Sequence, residues 1–397
     1  MQITDSVIYM GVDDHTTTLF ESLWPLPAGV SYNSYLVKGE ATALIDTAEI
    51  HTLPEFLARL RQHDVNKIDY LVVNHMEPDH SGLIPELKLL YPDMKIVGNA
   101  LTVNMINGYY GISDSESFLI VKDGDTLDLG KGRVLSFHTV PMVHWPETMV
   151  TYLACEQLLF SGDAFGTFGA MNGAVYDTMI GDADIYFREM RRYYACIVAK
   201  YATPVQNALA KLGSLPLKYI CSTHGPVWCE QVHRVIEEYD RLSRNVTEPG
   251  AVIVYGSMYG NTAQMAEIIA SRLSEKGVDK IKVYNAATTD LSFILADIWK
   301  YNGLIIGAPT YNASIFPPVR NLLEALKLRG LKHHVAGAFG SFTWASVACR
   351  QIADALTDMG LDLTGEPVEM KMSLTPETES KLRAMADAIA AKIVKSV

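Results

Sequence analysis

The densest chemistry in this chain lies in nine consecutive residues. Asn74-His75-Met76-Glu77-Pro78-Asp79-His80-Ser81-Gly82 puts two imidazoles and two carboxylates within six positions, directly after the apolar run Tyr70-Leu71-Val72-Val73. That run reads as a buried strand, so the ligand-type side chains begin where the strand stops. Pro78 lacks a backbone N–H and biases Glu77 toward extended backbone, so the segment is expected not to continue as helix. Alternate side chains of extended chain share a side, which predicts that His75, Glu77 and Asp79 converge while His80 turns off. Imidazole and carboxylate donors in such a loop make a candidate metal site.

Three later segments repeat the order of strand, then ligand. His144 lies in Pro141-Met142-Val143-His144-Trp145-Pro146 after an expected strand at 134–140. Asp163 lies in Phe160-Ser161-Gly162-Asp163-Ala164-Phe165 after 157–160, and His224 in Cys221-Ser222-Thr223-His224-Gly225-Pro226 after 217–221. Small or kinking neighbours allow sharp backbone turns at a crowded site. His51 and His138 fall outside this pattern and read as surface or core residues.

A second constellation follows further on. Ser257-Met258-Tyr259-Gly260-Asn261-Thr262 joins an expected strand at 251–255 to a helix at 263–276. Hydroxyls and backbone N–H groups at a helix N-terminus make an anion cradle. Neither a Walker lysine nor a GxGxxG is present, which disfavours nucleoside triphosphates and dinucleotides. Pro309-Thr310-Tyr311-Asn312-Ala313 and Gly340-Ser341-Phe342-Thr343-Trp344 follow two later strands. Doubly wound sheets bind ligands at the carboxyl ends of their strands, so the three loops are expected to share one crevice, with Tyr311 and Trp344 offering aromatic faces to a planar ring.

Elements positioning these residues are legible from periodicity. A hairpin is expected at 31–37 and 41–46, helices at 53–62, 84–90, 184–200 and 204–212, and a strand-rich stretch at 118–160. This reads as an α/β sandwich of two sheets with helices outside, over 1–247. The polar segment Arg244-Asn245-Val246-Thr247-Glu248-Pro249-Gly250 reads as a linker. Strands then alternate with helices over 251–397, the pattern of a doubly wound parallel sheet.

With 397 residues there is room for two hydrophobic cores. A net charge of -12 argues against a nucleic-acid partner. No apolar run approaches the ~18 residues of a membrane span, and the N-terminus lacks the signature of a secretory signal, so a cytoplasmic location is expected. The five cysteines form no CxxC pair, which fits reduced thiols and excludes a rubredoxin-type iron site within the chain. Any one-electron donor is then a separate molecule.

The motif His75-x-Glu77-x-Asp79-His80, with His144, Asp163 and His224 downstream, resembles the metal loop of the metallo-β-lactamase fold with its second histidine replaced. Together with the flavodoxin-like second half, it resembles the flavodiiron proteins (A-type flavoproteins). Exchanging imidazole for carboxylate hardens the site and favours iron or manganese over zinc. The resemblance implies one iron held by His75, Glu77 and His144, another by Asp79, His80 and His224, and Asp163 bridging them, with FMN in the second domain. It places Tyr193, or its neighbour Tyr194, near the iron site, with Trp24 and Trp145 as further pocket candidates. It implies reduction of dioxygen to water and of nitric oxide to nitrous oxide, with a rubredoxin-like or F420-type donor. It also implies a head-to-tail homodimer or dimer of dimers. The third flavin loop departs from the family's glycine-rich form at Phe342, Thr343, Ala345 and Ser346. The rivals are a zinc hydrolase fused to a flavodoxin domain, opposed by Glu77, and an electron-transfer flavoprotein with a scaffold domain, opposed by the ligand-type residues.

Overall fold

The computed structural model describes residues 1–395, which form two compact units, one over Met1–Asp240 and the other from Arg241 onward. In the first unit, a six-stranded sheet runs in the order Val7–Tyr9, Tyr35–Lys38, Thr42–Ile45, Tyr70–Val72, Lys95–Gly98, Phe118–Ile120. A five-stranded sheet follows the order Thr126–Asp128, Val134–Thr139, Met149–Leu153, Leu158–Gly162, Tyr219–Ser222. The shared core draws Val7, Tyr35, Ala43, Val72 and Val97 from one sheet and Leu135, Phe137, Met149, Leu158 and Phe160 from the other. It contains no residue of any helix, so the two sheets face each other directly and the helices cover their outer faces.

Strand direction explains why the ligands meet. Val134–Thr139 and Leu158–Gly162 are each antiparallel to Met149–Leu153, and Tyr219–Ser222 is parallel to Leu158–Gly162. The strands preceding His144, Asp163 and His224 therefore all end at the same edge of their sheet.

Several expectations need correction. The stretch 31–37 is not one strand: Val30–Tyr32 pairs with Val12–Asp14, and only Tyr35–Lys38 forms the hairpin with Thr42–Ile45. The break holds buried Asn33, whose side chain donates to the carbonyls of Ser222 (2.9 Å) and Gly225 (2.8 Å). Pro78 does not prevent helix; it opens a helical turn, Pro78–Ser81, because the first helical position needs no N–H. The expected helix at 184–200 is α-helical only over Asp184–Tyr193 and continues as a π-helical turn at Tyr194–Val198. The expected linker shortens, since the strand Glu248–Tyr255 begins inside it.

The second unit is a parallel sheet in the order Ile281–Asn285, Glu248–Tyr255, Tyr301–Tyr311, Val335–Phe342, with Asp362–Leu363 and Val368–Lys371 completing the far edge. Helices Asn261–Glu275 and Pro376–Lys395 fill one face with Met265, Ile269, Leu382, Met385 and Ile389, packed on Ile253, Ile305 and Phe339. Among the described residues, no helix is long and apolar enough to cross a membrane.

Close packing fixes the sheet beside the flavin loops. A Cβ on Gly307 would sit 2.2 Å from the Phe339 ring. Gly307→Ala is expected to cost about 1–3 kcal/mol, read as a lower urea midpoint of the second unit; an unchanged midpoint would contradict this packing.

Candidate metal centre and flavin crevice

All seven expected ligands gather in two adjoining groups. His75, Glu77, His144 and Asp163 offer donor atoms within 4.8 Å of one another, and so do Asp79, His80 and His224. The extended-chain expectation is therefore wrong in its pairing. The helical turn at Pro78–Ser81 sends Asp79 away from His75 and Glu77 and brings it to His80.

Asp163 belongs to both groups. Its Oδ2 lies 3.0 Å from His144 Nε2 and 3.5 Å from His75 Nε2. Its Oδ1 lies 2.8 Å from His80 Nε2 and 3.8 Å from His224 Nε2. Both Asp79 carboxylate oxygens and the Nε2 atoms of His80 and His224 are buried without a hydrogen-bond partner among the described residues. Yet both Nε2 atoms lie within 3.4 Å of Asp79 Oδ2. Buried polar atoms that converge without bonding one another fit a shared cation.

Neighbouring groups hold these donors in place. His75 Nδ1 donates to Glu147 Oε1 (2.9 Å), which also accepts the Met76 backbone N–H (2.9 Å), so Nε2 faces the group. His224 Nδ1 donates to the Ser31 carbonyl (2.7 Å). Thr223 donates to Asp163 Oδ1 (2.6 Å). Such bonds fix tautomer and ring orientation in metal sites. Asp46 accepts from the backbone and side chain of Asn74 (2.7 and 3.1 Å), pinning the strand end from which His75 departs, and burial pushes its carboxyl up to about 6. Glu147, Thr223 and Asp46 escaped the sequence reading; the one available signal was a carboxylate three residues after His144.

Electrostatics divides these groups by charge. Burial alone lowers an imidazole, but the charges of Asp79 and Asp163 push His80 up to about 9. Against the same burial, hydrogen bonds to Asp163 and Glu77 push His144 up to about 9, and Asp163 raises His75 well above its usual range. Burial works against ionised Asp163, but the His80 and His75 charges hold it well below the carboxylate range.

The aromatic surroundings separate Tyr193 from Tyr194. The Tyr193 ring stands 5.5 Å from that of His224, and its buried hydroxyl has no partner among the described residues. Burial and the charges of Asp163, Glu77 and Asp79 push that hydroxyl well above its usual range. Tyr194 packs instead on Tyr239 at 5.2 Å. Trp145 stands edge-on to His75 at 5.2 Å, and Trp24 donates to Glu21 (3.2 Å). Glu21, unnoticed in the sequence, lines a mouth of about 330 Å³ with Leu19, Phe20, Tyr32, Glu49, His51, Glu77 and Asp79. Burial, then the neighbouring Glu77, pushes its carboxyl up to about 7. His51 sits in that mouth, between Asp14 (2.8 Å) and Glu49. His138 lies on the strand Val134–Thr139, 3.2 Å from Ser136 Oγ.

In the second unit the three expected loops line one crevice of about 480 Å³. Ser257, Met258, Tyr259, Asn261, Thr262, Pro309, Thr310, Tyr311, Asn312, Ala313, Ser341, Phe342, Thr343 and Trp344 line it, joined by Ala345 and by Met372, which the sequence reading did not include. Gly260 and Gly340 are not in the lining. Gly260 turns the backbone into the helix Asn261–Glu275 at φ +95°, and Gly340 makes room for the carbonyl of Ala308 and the Cβ of Cys349. Thr262 and Ser341 bond each other (2.8 Å), and Asn261 donates to the Met372 carbonyl (2.7 Å). The Thr310 hydroxyl accepts from the N–H groups of Val347 and Ala348 (3.1 Å each), which ties the second loop to the segment after the third. No cation lines the crevice, while Tyr259 and Trp344 leave more than nine-tenths of their surface open. Uncovered aromatic faces beside a neutral helix N-terminus fit a planar ring carrying one anionic group.

Comparison with known proteins gives the same two halves. Residues 30–225 match the family described as ODP family beta lactamase, and residues 253–384 match flavodoxin. The chain is 32% identical over 385 residues to the anaerobic nitric oxide reductase flavorubredoxin of Klebsiella pneumoniae, covering 95% of this chain and 78% of that protein. Among solved structures it superposes on the rubredoxin oxygen:oxidoreductase of Desulfovibrio gigas with a TM-score of 0.94 at 32% identity, covering 100% and 98% of the two chains. The flavodiiron protein of Giardia intestinalis gives a TM-score of 0.93 at 26% identity, covering 99% and 96%.

Ligation requires neutral rings, whereas His80 and His144 hold protons up to about 9 in the metal-free site. Ferrous ion added to metal-free protein at neutral pH is expected to release protons, with affinity tightening as pH rises toward about 9. An indicator-dye titration checks both, and uptake without proton release contradicts the ligand set. In the crevice, Thr262→Val is expected to weaken FMN about 3- to 10-fold by fluorescence titration, the loss of one net hydrogen bond; unchanged affinity contradicts the cradle.

Proposed function

Because the chain belongs to the flavodiiron protein family, we propose that it is an oxidoreductase reducing dioxygen to water, nitric oxide to nitrous oxide, or both. Electrons pass from an external carrier through FMN to a diiron site. In this reading residues 1–247 hold the metal and residues 251–397 the flavin. His75, Glu77 and His144 would hold one iron and Asp79, His80 and His224 the other, with Asp163 offering an oxygen to each group. The observation that carries the reading is the Asp163 carboxylate, which offers Oδ2 to one group and Oδ1 to the other.

Bound there, the flavin accepts electrons from the carrier and the iron pair delivers them to the gas. The chain's own residues set the conditions. Glu147 and the Ser31 carbonyl hold the His75 and His224 rings with Nε2 toward the site, and Thr223 fixes the plane of Asp163. Carboxylates at Glu77, Asp79 and Asp163 favour iron over zinc, which opposes the hydrolase rival. Both gas reductions consume protons. Tyr193 keeps its hydroxyl proton and directs no bond elsewhere among the described residues, so it can donate a hydrogen bond into the site rather than give up the proton. Glu21, raised by burial and by Glu77, carries its proton to about 7 in the mouth beside that ligand.

The donor is a small redox carrier, rubredoxin-like in the first instance, since the cysteines provide no such centre here. F420H2 is the alternative donor. The assembly is a head-to-tail homodimer or a dimer of dimers, and the location is cytoplasmic.

The test is anaerobic stopped-flow of the reduced, iron-loaded protein against dioxygen and nitric oxide separately. Fast flavin reoxidation by at least one gas is expected. Two zincs per chain with esterase activity, and no gas reaction, would replace this reading with the hydrolase. Asp163→Ala is expected to lose most bound iron and more than about 100-fold of either activity, as removing a ligand that two metals share should. Tyr193→Phe should retain iron while slowing turnover roughly 3- to 10-fold, the scale of one lost hydrogen bond; unaltered turnover excludes that role.

A further inference from the structure

Three loops meet at the flavin crevice, as the topology of the sheet requires, but its wall includes a residue that belongs to none of them. Met372 follows directly on the strand Val368–Lys371, which runs parallel to Val335–Phe342 with Lys371 opposite Phe342. Its side chain lines the crevice and leaves 54% of its surface uncovered.

The backbone that carries this side chain is unfavourable. Ser373 N–H donates to the Lys371 carbonyl (2.8 Å) across Met372, whose φ is +61°. A hydrogen bond spanning one residue of positive φ makes the rare, strained kind of γ-turn. Glycine adopts such a φ without a Cβ penalty, whereas methionine bears one. The chain therefore places a long thioether where the backbone alone would favour glycine.

The turn is held from both sides. Met372 N–H donates to the Phe342 carbonyl in the third loop (2.8 Å), and its own carbonyl accepts from Asn261 in the first (2.7 Å). Ser346, one of the positions where the third loop departs from the glycine-rich form, donates to Glu369 on the same far strand. Strain persists where the surroundings over-determine a residue, and such residues gather at binding sites. Among the described residues of the second unit, five other than glycine take left-handed backbone, and three of these, Asn312, Ala313 and Met372, line the crevice. A thioether is suited to that place, because methionine is polarisable and unbranched and packs well on aromatic rings.

We propose that Met372 is a fourth point of contact for FMN, supplied by the far strand, and that its strained turn is kept to present the thioether to the flavin. The inference rests on FMN occupying this crevice. Two readouts test it. Limited chloramine-T oxidation of the full-length protein, followed by peptide mass spectrometry, reads the exposure of each thioether. Met179 in the first unit, 49% exposed, is the control. Bound FMN is expected to slow sulfoxide formation at Met372 more than about fivefold and to leave Met179 unchanged. Met372→Gly is expected to weaken FMN about 3- to 10-fold by fluorescence titration, the loss of one partly covered apolar contact. The urea midpoint of the FMN-free variant should not fall, because glycine suits the turn. Equal oxidation of Met372 with and without FMN, unchanged affinity in Met372→Gly, or a midpoint that falls together with affinity overturns the contact. A wild-type chain that binds no FMN overturns instead the flavin reading on which it rests.

Discussion

One carboxylate organises the first unit. Asp163 stands at the end of a central strand of its sheet with an oxygen toward each of two donor groups, and four imidazoles lie within 3.8 Å of it. Two further ionisable groups, Glu77 and Asp79, complete a cluster that is almost wholly removed from water. Charges in such a place are costly unless paired or bound to a cation. The two-sheet architecture meets this constraint by letting three strands of one sheet end at the same edge, with the loop after Val73 supplied from the other. Around it, Glu147, Thr223, Ser31 and Asp46 hold the donors to a geometry that the ligands alone would not keep.

The sequence made much of this legible, for a physical reason. Ligand-type residues directly after an apolar run stand out, because buried strands have little use for histidine or aspartate at their ends. That grammar located all seven residues that gather in the two groups. It failed on Asp79, because the direction of a short segment after a proline depends on whether the proline ends a structure or begins one, and here it begins a helical turn. The residues that support the ligands were invisible, since Glu147, Thr223 and Asn33 owe their role to partners 60 or more residues away, such as His75, Asp163 and Ser222. The π-helical turn at Tyr194–Val198 also left no periodic signal.

The second unit was easier to read, because a doubly wound sheet places its loops by topology and the order of strands is enough to bring three of them to one edge. What spacing could not distinguish was contact from support: Gly260 and Gly340 shape the crevice without lining it, whereas Met372, just past the far strand, lines it.

The central claim is that Asp163 joins two iron ions held by this set of side chains. Anomalous diffraction from crystals of protein purified with its native metal, recorded at the iron and zinc edges, tests it most directly. Two iron peaks about 3.5–4 Å apart are predicted, the spacing of paired catalytic metals, with Asp163 Oδ2 toward one and Oδ1 toward the other. A single peak, a zinc signal at either position, or two metals on one side of Asp163 would contradict the account.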